Sequence, residues 1–529
     1  MLDAGEIRTR YEAAAQESVK WMSQLQKAYE YVMPNRANFT IKDRQPGQRR
    51  NTKQLDATAA LAAEKFSSSM QQLLFPSGKH WAALSPGRKV MNGELKVSIP
   101  EIRTECQKWE DLFFDKLDHS NFQLVAFQTL LESTISTGVM LINEGTANEP
   151  FIFKAIPLAE VSLEPGPHDT VSNVYRKYKL KGEVIQQTWP KAEISNTLKN
   201  RIDRNPNDEI ELLEGTVLNI NGKPNKQYCY FVMEFSSNEY ILYEERPYSP
   251  WVIIRQKVLA GETFGRGKIF DLLPFINMLQ QMAHNEFVAA SFNAQPIFYS
   301  HASGDMNIYN ARIQPGSIIP VAPVAGGGQS FGQLPIKADP TYTQLTRSDL
   351  VRTITEAMNI NPTLPSAHEP GSMTATEVNA RQTEWVRNNQ ALVARAIYEG
   401  PRQIFNVCWQ ILHRFGLVPA PKVDGDHIKV DFISAITELQ GEMEVQRLAE
   451  AQQAFQQILG PQMAEAATVY GMDVTKIPTF VLDKLKVNPE VIQDELSKSK
   501  MMQAMQSQGG QQPPNAQPPQ GGAPAPVSQ

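Results

Sequence analysis

The sequence lacks the features that mark membrane-spanning, disulfide-rich and zinc-binding proteins. Its three cysteines, Cys106, Cys229 and Cys408, lie far apart and form no CxxC pair, so neither a disulfide framework nor a zinc site is expected. No charged-then-apolar leader opens the chain, and no apolar run approaches the roughly 18 residues that a membrane span needs. We therefore expect a soluble protein that is made and used inside a cell, without a membrane partner.

The sequence also lacks a strong charge of one sign. Its formal net charge is −5 at pH 7 and its pI is near 6.0, which argues against a protein whose main task is to grip nucleic acid. Two basic stretches remain alternatives for contact with phosphates: a loop with Arg44, Arg49, Arg50 and Lys53, and RKYKLK at 176–181. A charge run is more often a solvated face, which is the simpler interpretation of both stretches.

Two catalytic fingerprints are absent as well, since the sequence contains no HExxH and no GxGxxG pattern. GETFGRGKI at 261–269 is similar to a phosphate loop in its setting, because it follows a strand-like run and precedes a helix. In the Walker pattern four residues separate the glycines and a hydroxyl follows the lysine. Here five residues separate Gly261 from Gly267, and Ile269 replaces the hydroxyl. Glycines that turn the chain into a helix are the better explanation, and we expect no ATPase and no cofactor.

DGDH at 424–427 is the best candidate for a metal site. Asp424, Asp426 and His427 place two carboxylates and an imidazole within four residues. No second ligand cluster accompanies them, and Asp-Gly is a common turn. His368 and Glu369 could do acid–base chemistry, but no motif places a nucleophile beside them. A metal-dependent hydrolase is therefore an alternative, and we expect no catalytic residue and no metal site.

Length and composition describe a globular protein with several structural units. A chain of 529 residues is too long for one ordinary core, and 41% hydrophobic and 20% charged residues are typical of globular proteins. Runs with helical spacing flank a region of short Val-, Ile-, Tyr- and Phe-rich runs. The expected fold class is α+β, predominantly α. Helices are predicted at 4–33, 55–75, 99–118, 121–138, 268–292 and 340–358, and strands between 139 and 260.

The region after residue 292 alternates irregular stretches with helices. Residues 293–339 are irregular, with strands indicated by QPIFYS and GSIIPV, and a proline-rich loop at 359–373 follows the next helix. A long helix then opens at a capping box. Thr374 and Glu377 have the spacing at which each side chain satisfies a backbone N–H that the first helical turn leaves without a partner.

The helix that opens at Thr374 is predicted to be long but not straight. Gly400 and Pro401 in its middle should kink it. Residues 437–500 are again helical in pattern and rich in Gln, Ala and Glu. Residues 501–529 contain no charged side chain and cannot bury enough apolar surface to offset the entropy of ordering. This tail is predicted to be disordered.

Four segments carry a resemblance to a known family: QLLFPSGKHWAAL at 72–84, FQTLLESTISTGVMLI at 127–142, ETFGRGKIFDLLPFINML at 262–279 and MTATEVNARQTEW at 373–385. No segment is diagnostic alone, but their order and spacing together are specific. The chain resembles the portal, or head-to-tail connector, proteins of short-tailed, podovirus-type double-stranded-DNA phages. The resemblance runs from about residue 10 to residue 500.

The resemblance implies a portal fold, in which subunits with wing, stem, clip and helical crown regions form a ring around a central channel. The implied domains are an N-terminal wing at 1–265, a first stem helix at 266–292, a clip at 293–339, a second stem helix at 340–358, a channel loop at 359–373, a long kinked wing helix with a following strand at 374–440, a helical crown at 441–500 and the disordered tail at 501–529.

The resemblance also implies which residues lie near DNA. The channel loop would face DNA with Asn361, Thr363, Leu364, Ser366, His368, Glu369 and Ser372. The capping pair Thr374 and Glu377 would fix the end of this loop and the start of a rigid helix. The channel wall would include Arg347, Asp349, Arg352 and Glu356, so the wall would carry charges of both signs.

The implied function is that of a non-enzymatic portal at one capsid vertex, through which double-stranded DNA is packaged and ejected without sequence specificity. The resemblance implies that further copies of the chain are partners in a ring of twelve subunits. The other implied partners are the terminase large subunit, a tail adaptor protein, and the major capsid and scaffolding proteins. The protein would be a virion component that is assembled in the host cytoplasm. The alternatives are another virion component, such as a tail adaptor or internal scaffold, and the metal-dependent hydrolase.

Overall fold

The computed structural model of this chain describes residues 2–36, 39, 54–91, 99–190, 192, 194–219, 226–301, 314–321, 331–333, 340–358, 391–419 and 427–432. The fold is mixed α/β, and 53% of the described residues are helical. The chain divides into two compact units. The first comprises Met1–Leu84, Trp109–Val423 and Val430–Ile436, and the second comprises Ser85–Lys108, Asp424–Lys429 and Thr437–Gln529.

Most of the predicted long helices are present. The described helices are α1 (Ala4–Val32), α2 (Thr58–Leu74), α3 (Arg88–Met91), α4 (Ile99–Asp118), α5 (Phe122–Ile135), α6 (Gly182–Thr188), α7 (Asn196–Arg204), α8 (Lys268–Ala294), α9 (Pro340–Ala357), α10 (residues 391–399) and α11 (Pro401–Arg414). The helices predicted at 4–33, 55–75, 99–118, 268–292 and 340–358 are confirmed, with ends that differ by a few residues. The predicted helical region 437–500 lies outside the described residues.

The strands of the described residues form four sheets. They are β1 (Ala82–Pro86), β2 (Thr137–Glu144), β3 (Phe151–Ile156), β4 (Val161–Pro165), β5 (Val171–Lys181), β6 (Glu209–Leu218), β7 (Tyr228–Glu234), β8 (Tyr240–Arg246), β9 (Trp251–Arg255), β10 (Phe298–His301), β11 (Ile318–Val321), β12 (Phe331–Gln333) and β13 (Ile428–Phe432). The sheet orders are β1-β13, β11-β10-β12, β3-β2-β9 and β4-β5-β6-β7-β8. The strands expected in QPIFYS and GSIIPV are present as β10 and β11.

The five-stranded sheet is antiparallel and buried on both faces. Successive side chains of a strand point to opposite faces, and β6 shows this directly. Leu213 packs with Ile7 and Ala14 of α1, whereas its neighbour Leu212 packs with Ile185 of α6 and other residues on the opposite face. The Val-, Tyr- and Phe-rich runs of the sequence therefore supply two cores from one sheet.

Helices α6 and α7 lie among the strands predicted between 139 and 260, where no particular helix was predicted. Both are short, and they fill the opposite face of the five-stranded sheet with Ile185, Leu198 and Ile202. The start of α7 has a recognisable signal, because the Ser195 hydroxyl accepts a hydrogen bond from the Leu198 N–H at 3.3 Å. Serine is a favoured N-cap residue. The sequence thus contained a local signal for the start of α7, but it lies in a region whose other segments predict strands.

The predicted helix at 121–138 is too long, because α5 ends at Ile135 and β2 begins at Thr137. Gly138 lies within β2 and does not terminate a helix. A Cβ atom at this position would lie 2.2 Å from the carbonyl oxygen of Thr129 on α5. Glycine is therefore needed because the strand passes directly against the helix that precedes it.

Pro274 lies inside α8, although proline is normally confined to the first turn of a helix. Helix α8 begins at Lys268 and continues through Pro274 to Ala294. A proline at this depth has no N–H to donate to the carbonyl of Phe270, so one intrahelical hydrogen bond is missing. Pro274 is exposed, on the opposite side of α8 from the buried residues Leu273 and Ile276.

Candidate functional site

Helices α8 and α9 form an antiparallel pair that is the candidate functional site. Lys268, at the start of α8, donates a hydrogen bond to the carbonyl of Ala357 at the end of α9. Further along α8, Glu286 pairs with Arg347 near the beginning of α9. The first residue of α8 contacts the last residue of α9, and a late residue of α8 contacts an early residue of α9, so the two helices are antiparallel. Their buried residues are Ile269, Leu273, Ile276, Leu279 and Gln280 on α8 and Leu350, Ile354 and Met358 at α9.

The start of α8 is fixed by the glycines of GETFGRGKI. The N–H of Gly265 donates to the Thr137 hydroxyl at 2.8 Å, and the N–H of Gly267 donates to the carbonyl of Ile135 at 3.0 Å. A Cβ atom at Gly267 would lie 2.0 Å from the carbonyl oxygen of Thr134. These glycines therefore let the chain approach the end of α5 closely, and their amides are already engaged within the chain. The interpretation of this segment as a turn into a helix agrees with this geometry.

Gln280 ties α8 to the segment that precedes α2. Its side-chain oxygen accepts hydrogen bonds from the N–H groups of Leu55 and Asp56 at 2.8 and 3.0 Å. Its amide nitrogen donates to the carbonyl of Asp56 at 2.7 Å. Gln280 is buried, so these three bonds satisfy polar groups that would otherwise be costly to bury. The arrangement fixes the position of α2 against α8.

Asp56 and Arg347 extend this junction to α9. One carboxylate oxygen of Asp56 accepts from the Thr58 N–H at 2.8 Å, and the other accepts from the Arg347 guanidinium at 2.8 Å. The same guanidinium donates to Glu286 at 2.7 Å. Burial alone would raise the pKa of Asp56, but the hydrogen bonds from Thr58 and Arg347 outweigh it and lower the pKa below its usual value. The hydrogen bond to Asp56 is the main cause that raises the pKa of Arg347.

The exposed face of α9 is polar and carries both signs of charge. Arg352 donates to Glu356 at 2.7 Å, an i,i+4 pair in which both side chains are exposed. The hydroxyls of Thr353 and Thr355 donate to backbone carbonyls of the same helix, and Asp349 is also exposed. This face therefore carries a paired arginine and glutamate, an exposed Asp349 and hydroxyls that are engaged with the backbone.

The exposed face of α8 has a different character. Between Asp271 and Ala294 its only charged residue is Glu286, which is paired with Arg347. Phe275, Met278 and Phe287 are exposed on this helix. The two helices of the pair thus offer an apolar surface and a charged surface, respectively.

The four residues predicted for the channel wall have different environments. Arg347 is held between Asp56 and Glu286, so it joins structural elements as well as lying near the surface. Arg352 and Glu356 pair with each other, and Asp349 is exposed on the same helix. Whether these residues face a channel is a question about the assembly and stays a prediction.

The kink predicted at Gly400 and Pro401 falls between two described helices. Gly400 donates to the carbonyl of Ala396 on α10, and its own carbonyl accepts from Ile404 on α11. Its φ of −97° and ψ of −91° depart from helical values, and Pro401 occupies the first position of α11, where its missing N–H is not needed. Two helices therefore meet where the sequence predicts one kinked helix.

Glu399, the last residue of α10, is held by a buried network. Its carboxylate accepts from the Arg255 guanidinium and the Arg255 N–H, each at 2.8 Å, and from Arg395 at 3.1 Å. The same Arg255 guanidinium donates to the carbonyls of Thr263 and Asp169 at 3.0 and 2.9 Å. The end of α10 is thereby attached to β9 and, through Arg255, to the segments that contain Thr263 and Asp169.

The remaining predicted site residues lie outside the described residues. These are the channel-loop residues Asn361, Thr363, Leu364, Ser366, His368, Glu369 and Ser372, and the capping residues Thr374 and Glu377. Two members of the candidate metal site, Asp424 and Asp426, are also outside, whereas His427 is described and its carbonyl accepts from the Gly87 N–H. Within the described part of the chain, no group of three or more His, Cys, Asp or Glu residues could hold a metal ion.

The basic run at 176–181 lies on β5 and is largely compensated. Arg176 is buried and pairs with Glu160 at 2.8 Å and Glu214 at 3.4 Å. Lys177 pairs with Glu211 at 3.2 Å. These contacts argue against this strand as a phosphate-binding surface. The other basic stretch, with Arg44, Arg49, Arg50 and Lys53, lies outside the described residues.

Sequence reasoning missed the polar residues that fix the helix pair. Asp56, Gln280 and Lys268 each contact a residue that is distant in sequence. The sequence offered one signal for two of them: Lys268 and Gln280 are polar residues on a helix whose buried side is otherwise apolar. None of the helices in the described ranges is both long and apolar enough to cross a membrane.

Comparison with known proteins assigns this chain to a family. A family model described as bacteriophage head to tail connecting protein matches residues 4–492. A curated relative, the "Probable portal protein" of Bordetella phage BPP-1, is 19% identical over 460 residues, which cover 82% of this chain and 78% of the relative. A solved chain from "Virion of native gene transfer agent (GTA) particle" has a TM-score of 0.30 at 9% identity, covering 79% of this chain and 89% of that chain. Because the family model spans nearly the whole chain, this chain belongs to the bacteriophage head-to-tail connecting protein family.

Proposed function

We propose that this chain is the subunit of a portal ring at one vertex of a phage capsid. Twelve copies would surround a channel through which double-stranded DNA enters during packaging and leaves during ejection. The ring would dock the terminase large subunit first and a tail adaptor later, and it would contact the major capsid and scaffolding proteins. The motor activity would belong to the terminase, because this chain lacks the Walker pattern.

Within this proposal, the α8–α9 pair is the stem. The remaining regions are a wing at 1–265, a clip at 293–339, a channel loop at 359–373, a wing helix and strand at 374–440 and a crown at 441–500. Assembly of the rings would take place in the host cytoplasm, and the finished ring would be part of the virion.

The observation that supports the proposal most is the attachment of the α8–α9 pair at both ends. One end is joined by Lys268 and Ala357, and the other by Arg347, Glu286 and Asp56. A channel wall must keep its shape while DNA moves past it, and two helices fixed at both ends suit that requirement. The pair lies within the span that the family model matches.

The charge pattern of α9 supports the same proposal. DNA must slide through a portal, and unpaired cations along the wall would bind phosphates and slow it. Arg352 is neutralised by Glu356 within its own helix. Twelve chains at −5 each would also give a ring of about −60, which repels DNA at long range. Such a wall would guide DNA by shape.

The proposed ring is tested by measuring the mass of the purified full-length protein. Multi-angle light scattering should give a mass near twelve times 59.3 kDa, and negative-stain images of the same sample should show rings with a central hole. The measurement should be repeated over a range of salt concentrations and with scaffolding protein added. A monomer under all these conditions would contradict the proposal.

The proposed channel loop is tested by deletion within residues 361–371. Rings should assemble with the same mass and appearance as the wild type, because the deletion leaves α8 and α9 intact. Particles built with these rings should package or retain less DNA. If the deletion prevents ring assembly, the segment has a structural role in the subunit and the channel-loop assignment is wrong.

A further inference from the structure

Lys268 makes a contact that its position at the start of a helix does not require. Its ammonium donates a hydrogen bond to the carbonyl of Ala357 at 3.1 Å, 89 residues along the chain. Ala357 is the last residue of α9, where backbone carbonyls lack intrahelical partners and carry partial negative charge. The lysine of one helix therefore caps the C-terminal end of the other.

The backbone of Lys268 is held in place by its neighbours. Gly267 packs against the end of α5 so closely that a Cβ atom there would overlap the Thr134 carbonyl. The Lys268 N–H donates to the side chain of Gln256 at 3.3 Å, and Gln256 is itself buried. The capping ammonium thus projects from a fixed point of the first compact unit.

The capping ammonium is also partly buried at a cost. Burial lowers the pKa of Lys268 below its usual value, and among the described residues no carboxylate pairs with it. Its other contact is the Phe66 ring, whose centroid lies 5.4 Å from the ammonium. Burial removes water from this cation, and no described carboxylate offsets that cost, so the ammonium lacks the stabilisation that a salt bridge can provide. Its hydrogen bond to Ala357 is the contact that a shorter or apolar side chain could not replace.

We propose that Lys268 is a positioning residue, which fixes the end of α9 and so the point from which the following segment leaves the stem. This inference rests on the proposed function, in which that segment is the channel loop. Ala357 and Met358 are the last described residues before it. The lysine would set the direction in which the loop starts without contacting DNA.

The sign of the pKa shift makes the proposal distinguishable from a role in stability alone. The pKa of Lys268 is lowered on folding, so the folded state holds this proton less readily than the unfolded chain does. The charged lysine therefore costs stability below its folded pKa, and this cost falls as the pH rises from the folded pKa to the higher pKa of the unfolded chain. Lys268→Met, which keeps the packing against Phe66, should leave the unfolding midpoint unchanged or higher.

The test is amide hydrogen exchange of the purified full-length protein, followed over residues 353–358. In Lys268→Met, exchange there should be about tenfold faster than in the wild type, since a hydrogen bond from a charged group is lost. Lys268→Arg should restore slow exchange, because a guanidinium can donate to the same carbonyl. Lys257→Met is the matched control: it removes a nearby lysine that pairs with Asp271 on the surface, and it should not change exchange at the end of α9.

Three results would overturn the proposal. These are unchanged exchange at the end of α9 in Lys268→Met, no rescue by Lys268→Arg, and a fall in the unfolding midpoint or loss of folding in Lys268→Met. The exchange experiment needs neither rings nor DNA, so it can succeed even if the proposed portal function fails. If rings form and package DNA but the Lys268→Met exchange equals that of the wild type, only the positioning role is wrong.

Discussion

Two arginine–glutamate pairs in this chain place the same chemistry in opposite surroundings. At the end of α10, Glu399 receives hydrogen bonds from the guanidinium and the N–H of Arg255, and the residues are only 7% and 4% exposed. On α9, Arg352 and Glu356 form an i,i+4 pair whose side chains are 60% and 52% exposed. Removing one partner of a buried pair leaves the other charge buried without a partner or water, which strongly destabilises the fold. An exposed helical pair contributes only about 0.3–0.5 kcal/mol to stability.

The difference separates charges that hold the fold from charges that a partner can meet. Arg255 and Glu399 are 144 residues apart in sequence, so their contact joins distant parts of the chain. Arg352 and Glu356 join adjacent turns of one helix, and their two charges cancel. Arg347 lies between these extremes, because its guanidinium is partly exposed while its partner Asp56 is buried. This order predicts the order of the effects of mutation.

The largest effect is expected for Glu399→Ala. The guanidinium of Arg255 would stay buried without its carboxylate, and the free energy of unfolding should fall by about 3–5 kcal/mol. Urea unfolding of the purified chain, followed by tryptophan fluorescence, measures this change. Glu356→Ala is the control on the exposed pair and should change the free energy of unfolding by no more than about 0.5 kcal/mol.

A double substitution sharpens the same comparison. Arg255→Met with Glu399→Leu removes both charges, so no uncompensated ion remains, and much of the loss in Glu399→Ala should be recovered. If Glu399→Ala costs no more than Glu356→Ala, the buried network does not hold α10 in the way that the structure indicates.

The sequence predicted features that repeat locally. Helices such as α1 and α8 carry apolar residues at helical spacing, and the strands of the five-stranded sheet carry β-branched and aromatic residues between turn signals. The order of the four quoted segments was enough to identify the family, which the family model confirms. These features depend on residues that are close in sequence or on the order of whole segments.

The sequence did not predict contacts between distant polar residues. No local pattern shows that Glu399 meets Arg255, or that Lys268 reaches Ala357, because these contacts arise only when the helices pack. The helix predicted at 121–138 was too long for the same reason, since the close approach of β2 to α5 at Gly138 is a tertiary feature. The predicted channel loop and the cap at Thr374 lie outside the described residues and stay predictions.

The next effect in size is expected for Arg347→Met. The buried carboxylate of Asp56 would lose its charged donor and keep its hydrogen bonding to Thr58, so the free energy of unfolding should fall by about 1–3 kcal/mol. Arg352→Met, five residues further along the same helix, is the matched control and should have a much smaller effect. Equal losses in the two variants would show that the junction of Arg347 with Asp56 adds nothing to an exposed pair.

A smaller and pH-dependent effect is expected at Asp56 itself. Its pKa is lower in the folded chain than the ordinary 3.8, so its carboxylate contributes stability that is complete above pH 3.8 and is lost as the pH falls through the lower value. Asp56→Asn should therefore be less stable than the wild type at neutral pH, and the difference should shrink in strong acid. Unfolding free energies of both proteins between pH 7 and pH 2 measure it, and a difference that stays constant would contradict the role of the charge.

The smallest effect on stability, and the most informative one for function, is expected for Glu356→Gln. Arg352 is well exposed, so the free energy of unfolding should change by no more than about 0.5 kcal/mol. If α9 lines the proposed channel, each subunit of the ring would then present an unpaired cation to DNA, and packaging should slow most at low salt, where phosphate contacts are strongest. Arg352→Gln with Glu356→Gln removes both charges and should package like the wild type. Equal packaging by all three proteins at every salt concentration would show that this face of α9 does not meet DNA, however well the ring assembles.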